Sequence, residues 1–324
     1  MRKMSKILFV LLFLGFLGIS LLIVLRPYFM VSGQKQTFLS PIPNFLALSA
    51  NGQVSTLSLW LPILGNFIKG NTDVPQISAK SALVYDITAN KVLYEKNPKQ
   101  KLPMASITKI MTAVVALENK KPDDRYFVSK EDLVGENSMG LSEGESFSLK
   151  ELLYGLILVS GNDAAETLAT NYKGGRTAFI KAMNNKAKAL GLSDTNFTNP
   201  TGLEGDGEQY STSYDLIVIT EYILTKFPLF REVVSTFSYT IEQTDTHKAF
   251  YLENETNLLT SYPGVKGVKT GYTPEAGFCL VTYLDYKGHQ IIGVILGSQN
   301  RREEMKELLD FGLKEQGIDP PPHG

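Results

Sequence analysis

The sequence has few residues of the kinds that hold metals or form disulfides. Its single cysteine, Cys279, excludes an intrachain disulfide, and its three histidines show no HExxH or other metal-ligand spacing. The 32 basic and 33 acidic residues leave a formal net charge of -1, which gives no electrostatic reason for a nucleic-acid partner. We therefore expect no metal, no cofactor and no nucleic acid.

A catalytic histidine also lacks support. A Ser-His-Asp hydrolase usually carries its serine in a GxSxG turn, and the chain has no such motif. His247 lies in a polar segment and His289 in a predicted hairpin turn. We expect all three histidines to lie at the surface.

Only the N-terminus carries an uncharged run of membrane-spanning length. Residues 1–6 include three basic side chains, and the run that follows extends from Ile7 to Leu25. About 20 residues match the ~30 Å hydrocarbon core of a bilayer, and no small-residue cleavage site follows the run. We predict a cytoplasmic segment at 1–6 and an uncleaved transmembrane anchor at 7–25, with the rest of the chain outside the cell.

Three regions follow the predicted anchor. Residues 26–76 have scattered proline and glycine and are predicted to form an extracytoplasmic tether. Within it, the apolar stretch Leu57–Leu64 either lies at the membrane interface or packs on the next domain, and the sequence leaves this open. Residues 77–315 are predicted to form the folded domain, and residues 316–324 a short tail with no further domain.

Strands come before and after a group of helices in the predicted domain. Strands are predicted at Ala82–Asp86, Lys91–Glu95, Gly267–Tyr272, Phe278–Tyr283 and Gln290–Gly297. Helices are predicted at Ala105–Glu118, Leu149–Val159, Asp163–Tyr172, Thr177–Leu190, Ser213–Lys226 and Arg302–Leu313. This order indicates an α+β fold with helices packed on an antiparallel sheet.

The first candidate catalytic motif is the SxxK sequence from Ser106 to Lys109, near the start of a predicted helix. Residues three apart share a helix face, so the amine of Lys109 can reach the hydroxyl of Ser106. A neutral amine there can take the serine proton and leave a nucleophile, and the helix N-terminus favours the negative charge that develops. Ser32–Lys35 has the same spacing, but its glycine disfavours a helix.

Two later motifs can complete such a site. Ser160-Gly161-Asn162 lies between two predicted helices, where a hydroxyl and an amide can relay a proton and hold a substrate amide. Lys269-Thr270-Gly271 lies on a predicted strand, where a cation and a hydroxyl can bind a carboxylate and the glycine lets another backbone approach. Each motif alone is common, so the order of the three carries the argument.

The order SxxK, SxN and KTG resembles that of the penicillin-recognising serine enzymes. Four longer blocks resemble the low-molecular-mass D-alanyl-D-alanine carboxypeptidases among the penicillin-binding proteins. They are Pro103–Thr112, Ser160–Ala165, Asn199–Leu203 and Gly267–Thr273. The resemblance spans about Ser81 to Leu313 and implies a β-lactamase/transpeptidase-like fold, in which a helical subdomain accompanies the antiparallel sheet.

The resemblance also implies catalytic roles. Ser106 would be the nucleophile, Lys109 its general base, and Ser160 with Asn162 the proton relay and the pair that holds the substrate amide. The implied reaction is the loss of terminal D-alanine from a peptidoglycan stem peptide through an acyl-enzyme. β-Lactams would be trapped at the acyl stage, and the enzyme would act outside the cell membrane of a bacterium.

Substrate-binding residues follow from the same resemblance. Lys269 and Thr270, with Gly271 beside them, would bind the terminal carboxylate, and the N–H groups of Ser106 and Tyr272 would form the oxyanion hole. A free lysine with pKa ~10.4 is almost wholly charged at pH 7, so a working base needs a lowered pKa. Burial and the charge of Lys269 would both lower the pKa of Lys109.

Other functions remain open from the residues alone. An endopeptidase acting on peptide cross-links cuts a similar bond and differs only in the leaving group. A class A β-lactamase needs a further glutamate in an ExxLN-type loop, and the nearest approach, Glu221–Thr225, is predicted to be plain helix. A penicillin-binding scaffold or sensor without turnover is opposed by the intact Ser106, Lys109 and Lys269.

Overall fold

The computed structural model describes residues 45–48, 54–57, 61–64, 74–256 and 258–323. The predicted anchor at Ile7–Leu25 lies outside these residues, as do Ser32–Lys35 and most of the predicted tether. Across the described ranges, every helix is too short or too polar to cross a bilayer.

Eleven strands and eight α-helices occur in the described ranges. The strands are β1 (Phe45–Leu48), β2 (Val54–Leu57), β3 (Ser81–Asp86), β4 (Lys91–Lys96), β5 (Tyr126–Phe127), β6 (Ser146–Phe147), β7 (Ser238–Ile241), β8 (Phe250–Glu253), β9 (Val265–Thr273), β10 (Gly277–Tyr286) and β11 (His289–Ser298). The helices are α1 (Lys109–Glu118), α2 (Leu149–Leu158), α3 (Asn162–Thr170), α4 (Gly175–Ala189), α5 (Ser213–Lys226), α6 (Pro228–Ser235), α7 (Leu258–Ser261) and α8 (Arg301–Lys314).

The central sheet has five antiparallel strands in the order β4-β3-β11-β10-β9. Strands from the start and the end of the domain therefore pair with each other, with the helical region inserted between them. The remaining strands form three two-stranded ladders, β1-β2, β5-β6 and β7-β8. This arrangement confirms the predicted α+β fold with an antiparallel sheet.

Helices cover both faces of the sheet. On one face, Met305 and Leu309 of α8 form an apolar core with Val84 of β3 and Ile295 of β11. On the other face, α5 packs against β3 and β11. All six residues of β3 are buried as a result, which explains why Ala82–Tyr85 form a continuous apolar run instead of an alternating pattern.

Helix α1 forms the centre of the helical region. Its residues from Lys109 to Ala116 are all buried, and it packs against α2, α3, α4 and α5. A helix enclosed on all sides is apolar around its whole circumference, as the stretch from Lys109 to Ala116 is apart from Lys109 and Thr112. The turn before α1 contacts β9 and β10, so α1 leads from the edge of the sheet into the helical region.

The start of the SxxK helix differs from the prediction. Residues Ala105–Thr108 form a 3-10 turn, and α-helix begins only at Lys109. Ala105 has a left-handed φ of 49°, which begins a turn tighter than an α-helix. Ser148 and Glu151, which have the spacing of a capping box in the sequence, form one at the start of α2.

Helix α6 and the short ladders were not predicted. The two-residue strands of β5-β6 are too short to show a period-two pattern. Helix α6 starts with Pro228 immediately after α5, so two helices share one apolar stretch of sequence.

The prediction of surface histidines is wrong for His247. Its ring stacks on Phe147 with centroids 4.5 Å apart, and the residue is 6% exposed. The polar segment around it folds back on β6, where Ser146 N donates to Thr246 O at 3.1 Å. His247 Nε2 then lies 3.4 Å from the carboxylate of Glu151, and this partner makes its burial tolerable.

Candidate active site

The hydroxyl of Ser106 and the amine of Lys109 lie 3.0 Å apart. Ser106 is in the 3-10 turn and Lys109 is the first residue of α1. Residues three apart are eclipsed in a 3-10 turn, so the predicted contact forms although the local helix type differs. Ser106 is half-buried and Lys109 fully buried, which places the amine beneath a hydroxyl that a substrate can reach.

Two further acceptors fix the amine of Lys109. It donates to Oδ1 of Asn162 and to the carbonyl oxygen of Thr201, each at 2.7 Å. A neutral amine has two N–H bonds and one lone pair, so these acceptors use both hydrogens. The lone pair is then directed at the Ser106 hydroxyl, as a general base requires.

The surroundings of Lys109 favour its neutral form. Burial lowers the pKa of Lys109 well below its ordinary value, and the positive charge of Lys269 lowers this pKa in addition. The carboxylate of Glu255 acts in the opposite direction. Lys269 therefore lowers the pKa of Lys109, as predicted.

Lys269 is also fully buried, on β9. Burial lowers the pKa of Lys269 to about 8; Glu255 raises this pKa and Arg301 lowers it. Its amine donates to the carbonyl of the neighbouring Thr270 at 3.0 Å, and Thr270 itself is 5% exposed. At pH 7 this lysine keeps its charge more readily than Lys109 does, so the two amines can act as cation and base.

The SxN motif lies in the turn between α2 and α3, as predicted. Ser160 is buried with a left-handed φ of 58°, and Asn162 is the first residue of α3. Asn162 reaches Lys109 with its side chain, whereas the Ser160 hydroxyl forms no hydrogen bond with any described residue. The relay role of Ser160 stays a prediction.

The side chain of Asp163, next to Asn162, orders a segment of backbone beside the site. Asp163 accepts hydrogen bonds from the N–H groups of Met139, Gly140 and Leu141, each at 3.0 Å. Asn137, shortly before Met139, is bonded to the SxN motif: the N–H of Asn162 donates to the Asn137 carbonyl at 2.8 Å. This buried carboxylate therefore orders the segment that supports Asn162.

Strand β9 contacts the turn that carries Ser106 directly at Gly271. A Cβ added to Gly271 would lie 3.1 Å from both Met104 O and Ser106 N. The predicted close approach of another backbone is therefore confirmed. Arg301, at the start of α8, donates to the Gly271 carbonyl at 2.6 Å.

Tyr272 follows this contact on β9. Its side chain is 56% exposed and packs on the ring of Phe278, with centroids 4.7 Å apart. Its N–H belongs to the stretch of strand beside Ser106. The oxyanion-hole role of the Ser106 and Tyr272 N–H groups stays a prediction.

The Asn199–Leu203 block has a structural role that the sequence did not reveal. Thr201 supplies the carbonyl that binds Lys109, and Pro200 supplies one that accepts the Thr112 hydroxyl at 2.6 Å. Gly202 lies against the turn that carries Ser106. These contributions come from main-chain oxygens and a missing Cβ, so no side chain in the sequence signals them.

Three comparisons place the chain among known proteins. Residues 69–300 match a family model described as D-alanyl-D-alanine carboxypeptidase. The chain is 37% identical over 252 residues to D-alanyl-D-alanine carboxypeptidase DacF of Bacillus subtilis (strain 168), with 75% of this chain covered. It spans 64% of the length of that relative.

Two other similarities add detail. The chain is 38% identical over 219 residues to a D-alanyl-D-alanine endopeptidase of Escherichia coli (strain K12), covering 64% of this chain and 67% of the relative. It also resembles the ampicillin-bound crystal structure of penicillin-binding protein D2 from Listeria monocytogenes, with a TM-score of 0.66 and 30% identity. That match covers 74% of this chain and all of the other.

The matched region, residues 69–300, runs from before β3 to the end of β11 and contains all three motifs. The relationship thus covers the whole sheet and the helical region that surrounds Ser106 and Lys109. The chain belongs to the D-alanyl-D-alanine carboxypeptidase family.

Proposed function

We propose that this chain is a serine-type D-alanyl-D-alanine carboxypeptidase that removes the terminal D-alanine from peptidoglycan stem peptides. The observation that carries the proposal is the 3.0 Å contact between Ser106 Oγ and the buried amine of Lys109. A buried amine with a lowered pKa, held against a half-buried hydroxyl, is suited to proton abstraction from that hydroxyl.

Acylation follows from this arrangement. Lys109 takes the Ser106 proton as Oγ attacks the carbonyl carbon of the penultimate D-alanine. The oxygen that becomes negative is stabilised by the N–H groups of Ser106 and Tyr272. The carboxylate of the last residue binds Lys269 and Thr270, whose side chains are buried beside the site.

Release of product requires a proton on the departing amine. The proton that Lys109 took from Ser106 passes through the hydroxyl of Ser160, in the turn before Asn162, to that nitrogen; D-alanine leaves and Lys109 is neutral again. A water molecule then attacks the acyl-enzyme, with Lys109 again acting as the base. Every step uses side chains and N–H groups of the chain, without a metal or cofactor.

β-Lactams are proposed as covalent inhibitors of the same serine. The strained amide of the β-lactam presents its carbonyl to Ser106. A separate carboxylate of the same molecule binds Lys269. The ampicillin-bound state of the similar Listeria protein supports this assignment. The acyl-enzyme would form in the same way but hydrolyse slowly.

The second candidate function is endopeptidase action on cross-links between stem peptides. It is favoured by the 38% identity to an endopeptidase of Escherichia coli (strain K12). Both reactions pass through the same acyl-enzyme and differ only in whether free D-alanine or a cross-linked amine leaves.

One experiment separates these functions. Purified protein is incubated with a pentapeptide ending in D-Ala-D-Ala and with a cross-linked muropeptide dimer, and products are identified by mass spectrometry. We expect release of D-alanine from the pentapeptide by the wild type and none by Ser106→Ala. Cleavage of the dimer alone would establish the endopeptidase, and labelling by fluorescent penicillin without any cleavage would indicate a binding protein.

We also propose that residues 7–25 anchor the catalytic domain outside the cell membrane in a single pass, with residues 26–76 as the tether. The charge distribution at the N-terminus supports this orientation. The full chain should remain in the membrane pellet after alkaline carbonate extraction, whereas a variant that begins at residue 26 should be released. An N-terminus of the mature protein near residue 26 would contradict the uncleaved anchor.

A further inference from the structure

Glu255 lies beside the SxN motif, in the loop between β8 and α7. Its N–H donates to the carbonyl of Leu158, the last residue of α2, at 3.0 Å. Its carboxylate oxygen Oε1 accepts the side-chain amide of Asn137 at 3.3 Å. The carbonyl of Asn137 accepts the N–H of Asn162, so Glu255 is bonded through both its main chain and its side chain to the surroundings of the motif.

The loop around Glu255 is held in place by its neighbours. The side chain of Asn254 donates to the carbonyl of Thr236 at 3.0 Å, and the Asn254 N–H donates to the carbonyl of Phe237 at 2.7 Å. Asn254 Oδ1 accepts the N–H of Thr256 at 2.8 Å. Asn254 and Thr256 are buried and Glu255 between them is exposed, so its carboxylate extends from a backbone that is fixed on both sides.

The carboxylate of Glu255 acts on both lysines of the site. Its negative charge raises the pKa of Lys109, on α1, and the pKa of Lys269, on β9. It also raises the pKa of Arg301 at the start of α8, whose own charge lowers the pKa of Lys269. One exposed carboxylate therefore offsets part of the repulsion among basic groups that come from three different elements.

The other carboxylates near the site act on one lysine. Asp163 of α3 and Glu136, in the segment beside the SxN motif, both raise the pKa of Lys109. The pKa of Lys269 is raised by Glu255. Among the described residues, Glu255 is thus the carboxylate that acts on the base and on the carboxylate-binding cation together.

We infer that Glu255 is a positioning residue whose carboxylate sets the pH range in which the amine of Lys109 is neutral while that of Lys269 is charged. The inference rests on the proposed function, because that function gives the two lysines these different roles. It goes beyond that function by assigning the pH range of activity to an exposed side chain that acts through the lysines and takes no part in the bond changes.

Removal of this charge should move the active pH range without narrowing it. The rate of acylation falls at low pH, where Lys109 becomes charged, and at high pH, where Lys269 becomes neutral. Without the carboxylate the pKa of each lysine is lower, so the acid limb and the alkaline limb of the pH profile both move to lower pH. We expect each limb to move by about half a pH unit, as partly exposed charge pairs do.

The test is the pH profile of acylation by benzylpenicillin for the wild type and for Glu255→Gln. Glutamine keeps the oxygen that accepts the Asn137 amide, so this change removes the charge and leaves the hydrogen bond. We expect both limbs to move to lower pH together, and Glu255→Asp, which keeps a carboxylate, to bring them back toward the wild-type positions. Limbs that stay in place, or one limb that moves alone, would overturn the inference.

Two control variants locate the effect. Glu136→Gln removes a charge that acts on Lys109, so the acid limb should move and the alkaline limb should stay. Glu253→Gln removes an exposed charge two residues before Glu255 and should leave both limbs in place. Movement of both limbs in Glu253→Gln would show that any charge in this loop has the effect and would also contradict the role of Glu255.

A titration by NMR separates this inference from the proposed function. Lysine side chains are labelled with carbon-13 in Ser106→Ala, which cannot be acylated, and the signals of Lys109 and Lys269 are assigned by their loss in Lys109→Gln and Lys269→Gln. If Glu255→Gln lowers both titration midpoints although the wild type releases no D-alanine, the role of Glu255 stands and the carboxypeptidase proposal fails. If the wild type releases D-alanine but neither midpoint moves, only the role of Glu255 is wrong.

Discussion

Gly202 lies against the main-chain carbonyl of Ala105, so closely that a Cβ on residue 202 would be 2.0 Å from that oxygen. The same Cβ would be 2.9 Å from the nitrogen of Ser106. Gly202 also has a φ of +90°, which an L side chain rarely adopts. The turn that carries Ser106 can therefore take this position only because residue 202 has no Cβ.

Gly202→Ala should displace this turn and weaken the fold. Overpacking costs roughly 1–3 kcal/mol, and the left-handed backbone adds about 1 kcal/mol. We expect a lower urea midpoint and a fall of at least tenfold in acylation by fluorescent penicillin. Gly205→Ala is the matched control, since φ is +110° there but nothing lies within 4 Å of the added Cβ. Equal effects of the two changes would show that the contact with Ala105 is unimportant.

The acylation rate should depend on pH through the two buried lysines. Lys109 must be neutral, so the rate falls as the pH drops below its lowered pKa. In the proposed mechanism Lys269 must be charged to bind a carboxylate, and its pKa of about 8 predicts a second fall above that pH. The second-order rate constant for benzylpenicillin should therefore give a bell-shaped profile.

Lys269→Gln tests the coupling between the amines. Removing the positive charge should raise the pKa of Lys109, which moves the acid limb to higher pH, and the alkaline limb near pH 8 should disappear. Lys266→Gln removes an exposed charge from the same strand and should leave both limbs in place. An acid limb that does not move in Lys269→Gln would contradict the coupling.

Asp163→Asn should destabilise the protein strongly although it conserves shape. One carboxylate oxygen accepts the N–H groups of Met139 and Ala164, and the other accepts those of Gly140 and Leu141. An amide in either orientation turns an N–H group toward two of these donors, and each unmet donor costs about 1–3 kcal/mol. We expect a loss of about 3 kcal/mol in the free energy of unfolding in urea.

The control for Asp163→Asn is Asp245→Asn, in an exposed turn. It should change the free energy of unfolding by less than about 0.5 kcal/mol. A change of that size in Asp163→Asn as well would show that the segment around Gly140 is ordered by other contacts.

Cys279 should be inert in the native protein. It is fully buried on β10, and burial raises the pKa of its thiol to about 11, so almost no thiolate exists at pH 8. Reaction with Ellman's reagent should follow the rate of unfolding, and the protein in 6 M guanidinium should release one equivalent at once. Full labelling of the native protein within seconds would contradict this burial.

Sequence patterns predicted most of the regular structure. The five strands of the central sheet have distinct β-branched or aromatic runs, and the capping-box spacing at Ser148 located the start of α2 to the residue. The contact of Ser106 with Lys109 was also predictable, because three-residue spacing brings the side chains together in both α and 3-10 geometry.

What the sequence did not reveal depends on main-chain atoms and on distant folding. The carbonyl of Thr201 holds Lys109, but every residue has a carbonyl, so the residue type carries no signal. Arg301 reaches the Gly271 carbonyl from the start of α8, 30 residues further along the chain, a contact that depends on the folded sheet. His247 is buried because a polar turn folds back on β6, which local polarity does not predict.

The amine of Lys109 is fixed by acceptors that lie 53 and 92 positions further along the chain. During folding, a local turn can bring Ser106 and Lys109 together before either distant acceptor is in place. Reactivity toward a fluorescent penicillin should therefore emerge late in refolding, after circular dichroism has already reached its final value. The amount of penicillin-labelled protein would then measure the fraction of molecules in which Asn162 and Thr201 have reached Lys109 and the site is complete.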